Sequence, residues 1–225
     1  MRPGPWRQVR AVLFDLDGTL IDSAPDLGHA ANRLRTDRGM PPLPLADYRC
    51  MAGAGARGML SVAFGMTPEH PDFGPLKKEF FDNYESCIHD STHVFPQVGE
   101  LLQALQRSGV PWGVVTNKSE RFTSLIVERM EIFHHASVVI SGDTTPHAKP
   151  HPAPLLEAAS RLALPAQGCI YVGDDLRDVQ AGRAAGMATV AALYGYLGED
   201  AEATTWGADA NIEKPLDLLK TLGLA

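Results

Sequence analysis

In VRAVLFDLDGTLIDSAPD (residues 9–26) an apolar run ends in two aspartates, Asp15 and Asp17, one residue apart, with Gly18 and Thr19 behind them. Two carboxylates ~4 Å apart repel by roughly 4 kcal/mol at an effective dielectric of 20. A cation, a shared proton or full solvation can offset that cost, and each implies a different protein. Other apolar runs also close on polar residues: Thr116 and Asn117 follow PWGVV, and Asp174 and Asp175 follow CIYVG. Lys149 stands in HAKPHP, after a further run. Two or three carboxylates facing one another call for a hard cation, and oxygen-only ligation points to Mg²⁺. A lysine ammonium and a threonine hydroxyl are donors suited to phosphoryl oxygens. A carboxylate can attack as a nucleophile, and a second carboxyl group can protonate the leaving oxygen and then activate water. Asp15 is the candidate nucleophile and Asp17 the candidate acid/base.

These side chains can meet only if the chain brings its strand ends together. Short β-branched or apolar runs recur at 11–18, 111–118, 136–143, 168–175 and 187–195, with a last one at 208–212. Amphipathic stretches lie between most of them. Leu101, Leu102 and Leu105 have helical spacing, Ser119 is an N-cap candidate, and the helix at 151–164 carries proline early. Strand and helix alternating in this way predict right-handed βαβ crossovers, hence a parallel sheet with helices on both faces. In such a sheet ligands bind beyond the carboxyl ends of the strands, where the polar residues converge. Residues 22–95 break the rhythm and read as a helical insertion. The expected organisation is a core of 1–21 and 96–225 with a helical cap of 22–95.

Composition narrows the function further. With 20 Lys and Arg against 27 Asp and Glu the formal charge is −7, so nucleic acid is a poor partner. No apolar run reaches the ~20 residues that span a bilayer, and the first residues lack the apolar region of a signal peptide. The three cysteines, Cys50, Cys87 and Cys169, are widely spaced and suit reduced thiols in a cytoplasmic protein. The sequence leaves the oligomeric state open.

FDLDGT, VVTNK, the lysine of AKPHP and VGDDLRD, in that order, resemble the four motifs of the haloacid dehalogenase superfamily. The resemblance runs from about Arg10 to Leu219 and implies a Rossmann-like core with an inserted cap. Carried over by position, it implies Asp15 as nucleophile and Mg²⁺ ligand. Asp17 becomes acid/base and a ligand through its backbone carbonyl, and Thr116 and Lys149 bind phosphate. Asp174 becomes the remaining protein ligand, supported by Asp178, while Asp175 departs from the serine of many relatives. The dehalogenases lack the second acid, so Asp17 places the resemblance on the phosphoryl-transfer side. The whole pattern looks most like phosphoglycolate phosphatases, and the stretch 194–209 also looks like phosphatases of N-acetylmuramic acid 6-phosphate. The implied substrate is small, phosphorylated and acidic. A sugar phosphomutase and a non-catalytic metabolite sensor are the rival readings.

Several features carry plainer alternatives. Asn117 suits either substrate binding or a helix start, and Asp175 and Asp178 would favour a helix N-terminus whatever the function. GAGARG (53–58) matches a dinucleotide fingerprint by letter, but helix-like sequence precedes it where a strand is required. It reads instead as a flexible cap loop, with Arg57 as candidate contact for the substrate's second anionic group. His147 and His151 flank Lys149 in a proline-rich loop that suits a rim better than a zinc helix. The YGY at 194–196 and Trp206 read as packing.

Overall fold

The computed structural model describes residues 9–197 and 202–224. In chain order the elements are β1 (Ala11–Phe14), β2 (Ile21–Asp22), α1 (Ala24–Thr36), α2 (Leu45–Arg49), α3 (Gly55–Phe64), α4 (Phe73–Cys87) and β3 (His93–Val94). They continue as α5 (Val98–Arg107), β4 (Trp112–Val115), α6 (Glu120–Arg129), β5 (Val138–Ile140), α7 (Ala153–Arg161) and β6 (Cys169–Gly173). The chain closes with α8 (Leu176–Ala184), β7 (Ala188–Ala192), β8 (Ala210–Ile212) and α9 (Asp217–Leu222). Two compact units result, Met1–Leu20 with Val94–Ala225, and Ile21–His93.

The first unit holds a six-stranded sheet in the order β5-β4-β1-β6-β7-β8. Every neighbouring pair in it is parallel. All four residues of β1 are buried, as a central strand covered on both faces requires. Successive side chains point to opposite faces of a strand. Leu13, Val115, Ile140 and Tyr171 accordingly join Leu155 and Ala158 of α7 and Ala181 of α8 in one apolar cluster. The alternate residues, among them Val12, Phe14, Trp112 and Val172, are buried too. Trp112 meets Phe133 edge-on, at 6.4 Å between ring centroids.

The α/β reading of the sequence holds, and the strands are shorter than the runs that announced them. The Asp15 N–H still donates to the Val172 carbonyl at 2.9 Å, after which the chain turns out of the ladder. Each polar tail lies beyond its strand for the same reason: its side chains need space the pleat does not give. Ser119 stands at the N-cap of α6, but its hydroxyl makes no cap bond there. The Asp143 carboxylate accepts the Glu120 N–H at 2.8 Å and serves as the cap from another segment.

In the second unit α1 packs against each of α2, α3 and α4. Its Asp26, fully buried, accepts the N–H groups of Ser91 and Thr92 at 2.9 and 2.8 Å and the Thr92 hydroxyl at 2.7 Å. Arg35 donates through Nε to the Pro41 carbonyl at 2.8 Å and through Nη1 to that of Ala63. The flexible loop expected at GAGARG is not present: a 3-10 turn at Ala52–Ala54 runs directly into α3. A Cβ on Gly58 would lie 2.3 Å from the Met51 carbonyl oxygen, so that glycine serves close backbone packing. Arg57 therefore sits in the first turn of a helix, exposed. Among the described residues no helix is long and apolar enough to cross a membrane.

Candidate active site

The sheet order places the ends of β4, β1 and β6 side by side, and the loaded tails meet there. Lys149, in the loop between β5 and α7, is the hub. Its side chain is 2% exposed, and Nζ lies 2.9 Å from Asp15 Oδ1 and 2.8 Å from Asp178 Oδ1. The same ammonium reaches the Tyr171 hydroxyl at 2.7 Å and the Val115 carbonyl at 3.1 Å. Thr116 is buried at the end of β4, and its hydroxyl accepts the Lys118 N–H at 3.1 Å. Asn117 is tied to the loop that carries Lys149. Its amide donates to the Lys149 carbonyl at 3.0 Å and accepts the Lys149 N–H at 2.9 Å. That two-bond clamp turns the amide toward the loop and fixes the lysine's main chain.

The charge problem at Asp15 and Asp17 is met with two lysines. After β1 the chain tightens into a turn, the Leu20 N–H donating to the Leu16 carbonyl at 2.9 Å. Asp15 faces Lys149, while both oxygens of Asp17 accept from Lys118 Nζ, at 2.9 and 3.1 Å. Both partners of the second pair are largely buried, 7% exposed for Lys118 and 14% for Asp17. Lys118 is the site residue that sequence reasoning missed. A lysine just past a strand end is ordinarily solvated, and the only signal was its place behind Thr116 and Asn117 in a motif already marked.

Asp174 closes the arrangement from β6. Its Oδ1 accepts the Thr19 hydroxyl and its Oδ2 the Tyr196 N–H, each at 2.8 Å. Two glycines make room for it. A Cβ on Gly18, whose φ is +83°, would fall 2.1 Å from Asp174 Oδ2, and one on Gly195 would fall 2.3 Å from Asp174 Cβ. Gly18→Ala is therefore expected to cost about 2 kcal/mol in denaturant unfolding, from strain at positive φ and the clash together. A variant as stable as the parent would show that the turn relaxes without the glycine.

Asp15, Asp174 and Asp178 bring one carboxylate oxygen each within 4.8 Å of one another. Burial pushes the Asp174 carboxyl well above the ordinary range, and the Asp15 and Asp178 charges add to the rise. Burial raises Asp178 as well, with the Lys149 ammonium opposing it. Buried Asp174 and Asp178 with half-buried Asp15, of which Lys149 pairs with Asp15 and Asp178, leave negative charge that a hard divalent cation would neutralise, and an all-oxygen donor set fits such an ion. The third carboxylate of the group is Asp178, since the Asp17 side chain turns to Lys118.

Asp175 lies apart from the three. It caps α8, accepting the Arg177 N–H at 2.8 Å and the Arg177 Nε at 2.7 Å. Asp178 completes that capping box by accepting the Asp175 N–H at 3.1 Å, so it serves the helix and the lysine together. The rings of His147 and His151 are 4.4 Å apart, and His151 Nδ1 accepts the Ala153 N–H at the start of α7. Tyr194 donates its hydroxyl to the Thr19 carbonyl at 3.0 Å and stands edge-on to Phe95. Residues 198–201 of the tail compared above fall outside the described residues.

Known proteins share this sequence and this fold. A phosphoglycolate phosphatase of Xanthomonas campestris pv. campestris is 45% identical over 212 residues, covering 93% of this chain and 94% of its own. An N-acetylmuramic acid 6-phosphate phosphatase of Pseudomonas aeruginosa is 38% identical over 218 residues, 97% of this chain and 96% of its own. The crystal structure of a predicted phosphoglycolate phosphatase from Haemophilus somnus superposes with a TM-score of 0.83 at 29% identity, covering 95% of this chain and 98% of that one. The model of the haloacid dehalogenase-like hydrolases matches residues 12–192, from β1 through β7. With that match across the whole strand-end cluster, the chain belongs to the haloacid dehalogenase-like hydrolase family.

Proposed function

We propose that this hydrolase is a Mg²⁺-dependent phosphatase of a small phosphorylated acid, working through an aspartyl-phosphate at Asp15. The observation that carries the reading is the Lys149 ammonium 2.9 Å from Asp15 Oδ1, in a cluster with the buried carboxylates of Asp174 and Asp178. Asp15 attacks phosphorus, and Lys149 with the Thr116 hydroxyl holds the phosphoryl oxygens. Asp17 gives a proton to the leaving oxygen and later takes one from the attacking water. Lys118 holds the Asp17 carboxylate in place between those two duties, and Asn117 positions Lys149. Asp15, Asp174 and the Asp17 carbonyl would hold the metal, with Asp178 supporting. When bound, Mg²⁺ supplies charge neutralisation for the transferring phosphoryl group.

Phosphoglycolate is the first substrate to test, and N-acetylmuramic acid 6-phosphate the second. Both carry a carboxylate besides the phosphate, and relatives of both kinds cover nearly the full chain. In this reading the unit Ile21–His93 is the cap, and Arg57 on α3 meets the substrate's carboxylate. The test is release of inorganic phosphate from the two compounds side by side with Mg²⁺. A kcat/KM preference of roughly 100-fold or more for one names the substrate class, and Arg57→Ala should then lower that preference. No release from either, with turnover of a sugar phosphate into its isomer, would favour the mutase.

Metal removal has a pH signature. The folded state raises the Asp174 carboxyl, so in the metal-free protein it binds a proton more tightly than the unfolded chain does. Stability then falls as pH rises from the ordinary carboxylate range toward the raised value, and the penalty is full above it. Melting temperature in a chelator is expected to drop as pH rises above the ordinary carboxylate range, and saturating Mg²⁺ should remove most of that slope. Parallel curves with and without Mg²⁺ would place the cation elsewhere.

A further inference from the structure

We propose that the Tyr171 hydroxyl is a positioning group for Lys149, one that keeps the ammonium in place while the charge of Asp15 changes. Tyr171 lies within β6, on the sheet face that packs with Leu13, Leu155 and Ala158. The side chain is buried, and phenylalanine would fill the same space without a hydroxyl to desolvate. The hydroxyl is fully employed instead: it donates to the Val115 carbonyl at 2.6 Å and accepts from Lys149 Nζ at 2.7 Å. Burial raises the phenol well above its ordinary value, so it keeps the proton that this donation requires.

The ammonium has three protons and four acceptors within 3.1 Å: Asp15 Oδ1, Asp178 Oδ1, the Tyr171 hydroxyl and the Val115 carbonyl. They form two kinds. Asp15 and Asp178 are carboxylates, and in an acyl phosphate the negative charge at Asp15 passes from the carboxylate to the phosphoryl oxygens. The hydroxyl and the carbonyl are neutral and anchored in the sheet, on β6 and β4, so phosphoryl transfer leaves them unchanged. Without Tyr171 the ammonium would be held chiefly by charge, and would shift as that charge moved from the Asp15 carboxylate to the phosphoryl oxygens. The inference rests on the proposed phosphoryl transfer only for that change at Asp15; the hydrogen bonds stand without it.

The test is Tyr171→Phe in the full chain, with lysine side chains labelled with ¹⁵N. The Lys149 ammonium signal is identified by its disappearance in Lys149→Arg. The wild type is expected to show a slowly exchanging Lys149 signal that the Phe variant loses. In phosphate release the variant should lose kcat by ~10-fold or more, with a smaller change in KM, while its melting temperature stays within ~3 °C. A Lys149 signal equally protected in the variant would overturn the proposal, as would a wild type with no protected signal. A variant that melts earlier but keeps kcat would also overturn it, because the hydroxyl would then be structural only. If the wild type released no phosphate from any substrate, the phosphatase reading would fail, and the Lys149 signal would still decide the role of Tyr171.

Discussion

Asp15→Asn is expected to lower phosphate release by roughly 1,000-fold or more while leaving secondary structure and the unfolding transition in place. A carboxamide is nearly isosteric with a carboxylate, and its oxygen can still accept from the Leu16 N–H, a bond of 2.7 Å in the wild type. What it lacks is the anionic oxygen that the proposed mechanism needs for attack on phosphorus. The substitution also takes one negative charge from the Asp15, Asp174 and Asp178 group. The melting temperature in a chelator should therefore hold or rise, and the stabilisation by Mg²⁺ should shrink. Turnover within ~10-fold of the parent would remove Asp15 from the nucleophile's role and reassign the covalent step.

Lys149→Met should act on stability and activity together. Methionine keeps the length of the stem but removes the ammonium shared by Asp15 and Asp178. Breaking a buried pair by removing one partner typically costs 3–5 kcal/mol, about what is expected here, because the remaining charges stay buried without compensation. The shift of the urea midpoint measures it. Phosphate release should fall below detection, since the proposed donor to the phosphoryl oxygens is gone. Mg²⁺ should restore stability more in this variant than in the wild type, because it brings positive charge back to the same carboxylates. An unchanged midpoint would mean that the carboxyl groups protonate at little cost once the lysine is lost. Equal Mg²⁺ shifts in both proteins would mean that the cation does not share the lysine's partners.

The sequence and the structure agree where periodicity governs. Runs such as AVLF and CIYVG are apolar on both faces, and only a strand buried on both sides accepts that pattern, so the central parallel strands were legible. The disagreements are about partners. The amide of Asn117, left open between substrate and helix start, closes on Lys149 32 residues away. Lys118, which the sequence reading passed over, is the counter-charge of Asp17, 101 residues distant. Ser119 occupies a cap position, but the cap bond comes from Asp143. In each case the choice depends on where another loop passes, which spacing along the chain does not encode.

By itself, then, the sequence determined which polar residues follow the strands and at which edge they gather. A parallel sheet aligns the carboxyl ends of its strands, and the polar tails stand at those ends. Only the tertiary structure decided how the charges pair. Lys149 reaches Asp15 and Asp178 because β4 and β6 flank β1 in the sheet and the loop after β5 folds back over their ends. The turn after β1 separates Asp15 from Asp17 and hands each its own lysine. Ion pairs inside a folded chain are selected over a few ångströms by loop path and side-chain direction, whereas strand and helix patterns are set by neighbours along the sequence.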